Sequence, residues 1–207
     1  MAKVHLTMGQ LDLALNYAKK SLVIYLKLFG EQNVNVAHGH ILLAQIYLEM
    51  NNYSKALSSN QKAFDANYRY EKGRDDRTGN YNFSDFENGS LFLNSLRIKG
   101  DIYLEKYQES QNLSDLRNSI SLYNQSALFI SELRKNQLSY DDEIELSRLV
   151  KQIYSRNVKV TLLLSQLEQD EDLREMAKEE VDQIDSQLEE VLKQMDEILE
   201  INFPISK

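Results

Sequence analysis

The chain has no cysteine and no tryptophan, and only one proline (Pro204) and seven glycines in 207 residues. Without cysteine there is no disulfide, no thiolate metal site and no cysteine nucleophile. So few chain breakers exclude an all-β fold, which needs many turns, and point to a helical one. Long apolar runs are missing too. The best, such as "VTLLL" from Val160, falls far short of the ~20 apolar residues that span a bilayer. The N-terminus, "MAKVHLTMGQLDLALNYAKK", lacks the charged-then-apolar layout of a signal peptide. A soluble, cytoplasmic protein is therefore expected, in which the Asn-x-Ser sequons at Asn82, Asn88, Asn112 and Asn124 are chance matches.

A basic stripe is also lacking. The net charge is −8, and from Glu168 to Glu200 fourteen acids face three bases, which leaves the rest of the chain at +3. Such a chain is a poor partner for nucleic acid or an anionic membrane. Hydrophobic residues at 42% and charged residues at 27% are nonetheless ordinary for a globular protein with a real core.

What is present is repetition. Nine positions match at a constant offset of 42: Ala2 with Ala44, Val4 with Ile46, His5 with Tyr47, Met8 with Met50, Gly9 with Asn51, Leu11 with Tyr53, Ala14 with Ala56, Leu15 with Leu57, and Leu22 with Phe64. Each unit reads as two antiparallel helices. The small Ala44 and Ala56 permit close approach, and Leu43, Tyr47 and Tyr53 fill the space beside that contact. Gly9, Asn51 and Asn52 supply turns where left-handed backbone is tolerated. A third, stretched unit places Leu96, Gly100 and Tyr103 in the same phase. Its first helix is expected to run to about Gln108, with a turn at Gln111–Asn112 and Ser114 capping the next helix.

Asp65–Ser90 has no sustained period and reads as a long loop, part of whose aromatics (Tyr68, Tyr70, Tyr81, Phe83, Phe86) should pack on the helices. A helix is expected over about Asp142–Leu167, capped by Ser139 or Asp141. After "EQDED", apolar residues at Val181, Ile184, Leu188, Val191, Met195 and Ile198 step 3, 4, 3, 4, 3, a heptad seam. It would cap the array or, less readily because its acidic flanks repel, form a coiled coil in a homodimer.

The second unit resembles the tetratricopeptide repeat (TPR), with His40, Leu43, Ala44, Tyr47 and Ala56 in the first five marked places. Asn60 replaces a usual aromatic, and the closing proline is missing. The 42-residue spacing and "LFGEQNVNVAHGHILLAQIY" resemble the kinesin-light-chain style of these repeats. Ser90–Leu164 is similar to the region before the peptidase domain of bacterial CHAT proteins, through Lys99-Gly100-Asp101, "YLEKYQES", Asp115–Leu116 and "IYSRNVKV". The enzymes of that family use a histidine and a cysteine in a further domain. With no cysteine here, no catalytic residue carries over, and the resemblance implies a repeat arm without the enzyme. Met1 aligns with Leu43, so the first helix of unit one is half-length. A gene fragment, a split-gene product or a trimmed chain is one expectation.

The resemblance implies an all-α fold: antiparallel helix pairs in a TPR-like right-handed superhelix over 1–167, with a long loop at 65–90 and an acidic C-terminal capping helix and tail over 168–207. His38 and His40 stand two apart and point in different directions on a helix, so they cannot chelate together, and packing is favoured over ligation for His40 and His5. The acidic clusters at Asp141–Glu143 and Asp170–Asp172 lack the alternating ligand order of a calcium loop. "EKGRDDRTGN" lacks phosphate-loop spacing. No cofactor, metal or catalytic set is expected. The concave face of such an array takes peptides or proteins, and the repeat phase puts Lys3, Leu6, His38, Ile41, Gln45, Glu49, Asn94, Arg97, Asp101 and Glu105 on it. The lysine–asparagine set that clamps a carboxyl terminus in co-chaperone members is not evident. The function expected is a non-catalytic scaffold or adaptor, or alternatively the sensing arm of a CHAT-type peptidase.

Overall fold

The computed structural model describes residues 1–69, 85–133 and 140–168. It divides into two compact units, residues 1–136 and 137–207. The first holds six helices among its described residues: α1 (Ala2–Thr7), α2 (Leu11–Phe29), α3 (Val34–Glu49), α4 (Tyr53–Asn67), α5 (Gly89–Ser110) and α6 (Leu113–Leu133). They form three antiparallel pairs, α1/α2, α3/α4 and α5/α6, with α2 also packing on α3, and α4 on α5. No strand occurs among the described residues, where one isolated antiparallel bridge joins Tyr68 to Phe86.

The alanines set the spacing. Ala14, Ala37, Ala44 and Ala56 are fully buried, and Ala18 and Ala63 nearly so, within a core that also contains Leu22, Ile41, Leu43 and Ile46. A side chain without γ atoms lets two helix backbones approach, and the large residues beside it close the gaps. Each buried Leu or Ile contributes about 1.5–3 kcal/mol. A bulky residue in place of Ala56 would cost about 1–3 kcal/mol by overpacking.

The 42-residue repeat is visible bond for bond in the turns. Gly9 (φ 71°) and Asn51 (φ 55°) both adopt the left-handed region. The Gly9 and Gln10 amides donate to the Leu6 and His5 carbonyls at 3.0 and 2.9 Å, and the Asn51 and Asn52 amides to Leu48 and Tyr47, both at 2.8 Å. Gln111 (φ 56°) turns the third pair with the same left-handed backbone but a different bond, its amide donating four residues back to the Tyr107 carbonyl at 2.7 Å. Asparagine caps open most helices: Asn33, Asn52, Asn88 and Asn112 accept from the amides of Asn35, Lys55, Leu91 and Ser114. At α6 the cap is thus Asn112 rather than Ser114. Asn112 stands immediately before the helix, so its Oδ1 reaches the second helical amide.

The inter-repeat loop is narrower than 65–90, because α4 continues to Asn67 and α5 begins at Gly89. Its base is pinned. The Asn67 amide group donates to the Asn88 carbonyl at 2.8 Å and accepts from the Asn88 amide at 3.0 Å, while Arg69 N–H donates to the Asp85 carbonyl and Glu87 N–H to that of Asn67. Tyr68 and Phe86 are buried in an aromatic cluster with Phe64, Phe92 and Phe129. In it Phe86 stacks on Phe92 at 3.8 Å and Phe129 meets Phe92 edge-on at 4.9 Å. Tyr70, Tyr81 and Phe83 lie outside the described residues.

In the second unit, α7 (Tyr140–Glu168) carries a buried stripe of Leu146, Leu149, Val150, Ile153, Tyr154 and Val160 at helical spacing. Asp141 is inside its first turn, and Ser139 lies outside the described residues. The heptad seam and the capping or dimerising helix expected over 168–207 lie beyond Glu168, also outside them. No helix among the described residues is long and apolar enough to cross a membrane.

Candidate binding face

The expected face falls on the first helix of each pair. On α3, His38 and Glu49 are exposed and Gln45 is half-buried, but Ile41 is only 4% exposed and belongs to the core. On α1, Lys3 is exposed and Leu6 packs against the core. On α5, Asn94 and Glu105 are half-buried, whereas Arg97 and Asp101 are buried. Among the described residues α3 packs against α5, so their candidates lie on adjoining helices, while α1 packs on α2.

Three of the α5 candidates are joined in one network. Arg97 Nη1 donates to Asp101 Oδ2 at 2.6 Å, Arg97 Nε and Nη2 donate to Asn94 Oδ1 at 3.2 and 2.8 Å, and Tyr123 Oη from α6 donates to Asp101 Oδ1 at 2.6 Å. Both oxygens of the Asp101 carboxylate are therefore engaged, one by a cation and one by a phenol. Each buried charge has its partner, as burial of charge requires. Removing either member would leave the other uncompensated, at about 3–5 kcal/mol. Arg97 and Asp101 thus hold α5 to α6, with Asn94 Oδ1 already taken by Arg97, and the remaining candidates on α3 and α5 that the network does not engage are Gln45, Glu49 and Glu105. Glu49 and Glu105 occupy the same repeat position, each five residues after the small residue of the helix contact, Ala44 and Gly100. That equivalence sets two carboxylates at matching places on adjoining helices.

Polar contacts without any counterpart in the repeat pattern tie the edges of this face. Tyr53 Oη at the start of α4 donates to Glu109 near the end of α5 at 2.6 Å. Burial, then the bond to Glu109, pushes the Tyr53 phenol up to about 12. Ser95 Oγ donates to Asn60 Oδ1 at 3.1 Å, which gives Asn60, in the usual aromatic place, a buried polar role instead.

His5 and His40 pack, as expected, whereas His38 is exposed. His5 stacks on Tyr17 at 5.2 Å and 3°, with Nδ1 at 2.7 Å from Gln10 Oε1. His40 fills the tryptophan place with its Nδ1 buried and without a hydrogen-bond partner. Burial, and secondarily Lys62, hold its pKa below the usual imidazole value, against a smaller opposing pull from Asp65.

The family comparison agrees with this geometry where it reaches. Residues 1–68 match the tetratricopeptide repeat family. The match spans the first two helix pairs, those whose turns repeat bond for bond. Among solved structures, a Podosopora anserina kinesin light chain of nearly identical TPR-like repeats is similar over 98% of this chain and 93% of its own, at 12% identity and a TM-score of 0.46. A point-mutant form of that protein is similar over 97% and 92%, at the same identity and TM-score. No curated protein sequence matches the chain.

Proposed function

We propose that this chain is a non-catalytic TPR scaffold that binds an extended, basic segment of a partner protein across the open face of α3 and α5. The reading is carried by Glu49 and Glu105, repeat-equivalent acids on adjoining helices, beside a network in which the charges of Arg97 and Asp101 already satisfy one another. Gln45 adds an amide donor and acceptor for a peptide backbone, and Asn94, whose oxygen is held by Arg97, adds an amide donor. His38 stands farther along α3, and Lys3 on the first helix of the preceding pair, where a longer ligand would meet them.

A fluorescent positional library of 12-residue peptides tests this. The native chain should select lysine or arginine at two positions, and the Glu49→Lys, Glu105→Lys variant should reverse that selection to aspartate or glutamate. An unchanged selection would sink the proposal. Gln45→Ala and Glu49→Ala are better probes than any change at Arg97, whose removal unsettles the α5/α6 contact. A second reading, the sensing arm of a CHAT-type peptidase, is supported by the motifs of Ser90–Leu164. It fails if the native reading frame has no domain bearing one histidine and one cysteine after Lys207.

A further inference from the structure

The junctions between successive helix pairs are not filled alike. Counted from the small residue of each helix contact, Ala44 or Gly100, the position that ends α3 at Glu49 falls in α5 at Glu105, yet α5 runs on to Ser110. That extra turn meets the start of α4, where Glu109 accepts the hydrogen bond from Tyr53 Oη at 2.6 Å. Leu11, at the start of α2, is the repeat equivalent of Tyr53, and α3 has no such extension to meet it. An open notch of about 570 Å³ lies there instead, lined by Gly9, Gln10, Leu11, Asp12, Leu13 and Met50. Its walls are the α1/α2 turn and the end of α3, and a Cβ at Gly9 would meet nothing within 4 Å.

The lining joins apolar surface to negative charge. Leu13 is 46% exposed, and Leu11 and Met50 are half-buried, so the notch presents aliphatic and thioether surface. Asp12 is exposed, and its carboxylate has no hydrogen bond or ion pair among the described residues. Gln10 differs, because its Oε1 already stands at 2.7 Å from His5 Nδ1. Across the notch α3 ends with no basic side chain in its last turn, so its carbonyl end and Glu49 add to the negative potential. Such a place suits an aliphatic stem with a cationic tip. A purely apolar side chain would leave the charge unmatched, and an acidic one would be repelled.

We infer that this notch holds a lysine or arginine side chain of the partner's basic segment, its stem on Leu13 and Met50 and its charge at Asp12. The inference rests on the proposed function and extends it, since Met50 directly follows Glu49 and the notch therefore continues the α3/α5 face toward the first helix pair. The ligand is then a segment with three basic residues, two met by Glu49 and Glu105 and the third by Asp12. The third is the one read for length as well as for charge, because only there does a stem lie on apolar side chains.

The test applies the same 12-residue peptide library to the full chain. Beyond the two basic positions read by Glu49 and Glu105, the native chain should select lysine or arginine at a third. Asp12→Lys should abolish selection at the third position and leave the other two, which also shows that the variant is folded. Glu49→Lys, Glu105→Lys should reverse those two and leave the third basic. In a selected peptide, 2,4-diaminobutyrate in place of the third lysine keeps the charge and removes two methylenes. It should weaken binding about fivefold, the effect of half-burying those methylenes, and by less in the Leu13→Ser variant. Basic selection at two positions only, a third that survives Asp12→Lys, or a diaminobutyrate peptide that binds as tightly as its lysine parent would overturn the inference and leave the α3/α5 reading standing. No basic selection at any position would overturn both.

Discussion

Gly100→Ala should destabilise the protein although it replaces a glycine in a helix interior with the best helix former. A Cβ at position 100 would meet Cε1 of Tyr123 at 2.7 Å, Cζ at 2.9 Å and Cδ1 at 3.2 Å. The ring has nowhere to go. Tyr123 is fully buried, its hydroxyl is held on Asp101 at 2.6 Å, Asp101 is held by Arg97, and Ser119 Oγ donates to the Gly100 carbonyl at 2.9 Å. Overpacking against so fixed a group should cost about 3 kcal/mol, the upper end of the usual range. The propensity gain of alanine returns about 1 kcal/mol. The net loss of about 2 kcal/mol corresponds to a fall in Tm of roughly 4–8 °C for a chain of this size. Gly39→Ala is the internal control. Its new Cβ meets only the tip of a flexible side chain, Leu22 Cδ1 at 2.9 Å, with the next atoms at 3.6 and 3.7 Å. A rotamer adjustment of about 1 kcal/mol should offset the propensity gain, so this variant should melt within a degree or two of the native chain. The assay is thermal and urea denaturation followed by circular dichroism at 222 nm. A Gly100→Ala variant as stable as the native protein would refute the locked-ring argument. So would an equal penalty in a Tyr123→Leu background, where the clash is absent.

Two further predictions concern pH. His40 has a depressed pKa, so its contribution to stability is present above the ordinary imidazole value of about 6.5 and is lost as pH falls through the lower folded value. His40→Phe keeps the ring and removes the buried, unpartnered Nδ1. Its Tm should fall less than that of the native chain between neutral pH and pH 5, and parallel curves would show that His40 carries none of the acid sensitivity. Tyr53 has a raised pKa, so its contribution is present below about pH 10, where an unfolded tyrosine titrates, and is lost as pH rises toward about 12. Tyr53→Phe should lose about 0.5–1.5 kcal/mol at neutral pH with the bond to Glu109 and show a shallower alkaline decline, both read by urea denaturation. A native chain no more sensitive than the variant above pH 10 would count against that bond.

The features that can be read from sequence are those fixed by local chemistry. Gly9 and Asn51 at equivalent places tolerate positive φ, so the turn declares itself within three residues. Ala14, Ala44 and Ala56 announce close helix contact wherever their partners are. The α6 cap lies two residues before the expected one because Asn112 and Ser114 are both good cap formers, and only the helix start chooses between them.

Arg97 and Asp101 show the opposite situation. An arginine and an aspartate four apart on a helix look like a solvated surface pair, and the repeat phase assigns them to the groove. Their burial depends on Tyr123, whose phenol arrives from another helix 22 residues beyond Asp101. A repeat specifies which residues share a helix face; whether such a residue is open or buried is decided by side chains that arrive from other helices, as Tyr123 does at Asp101.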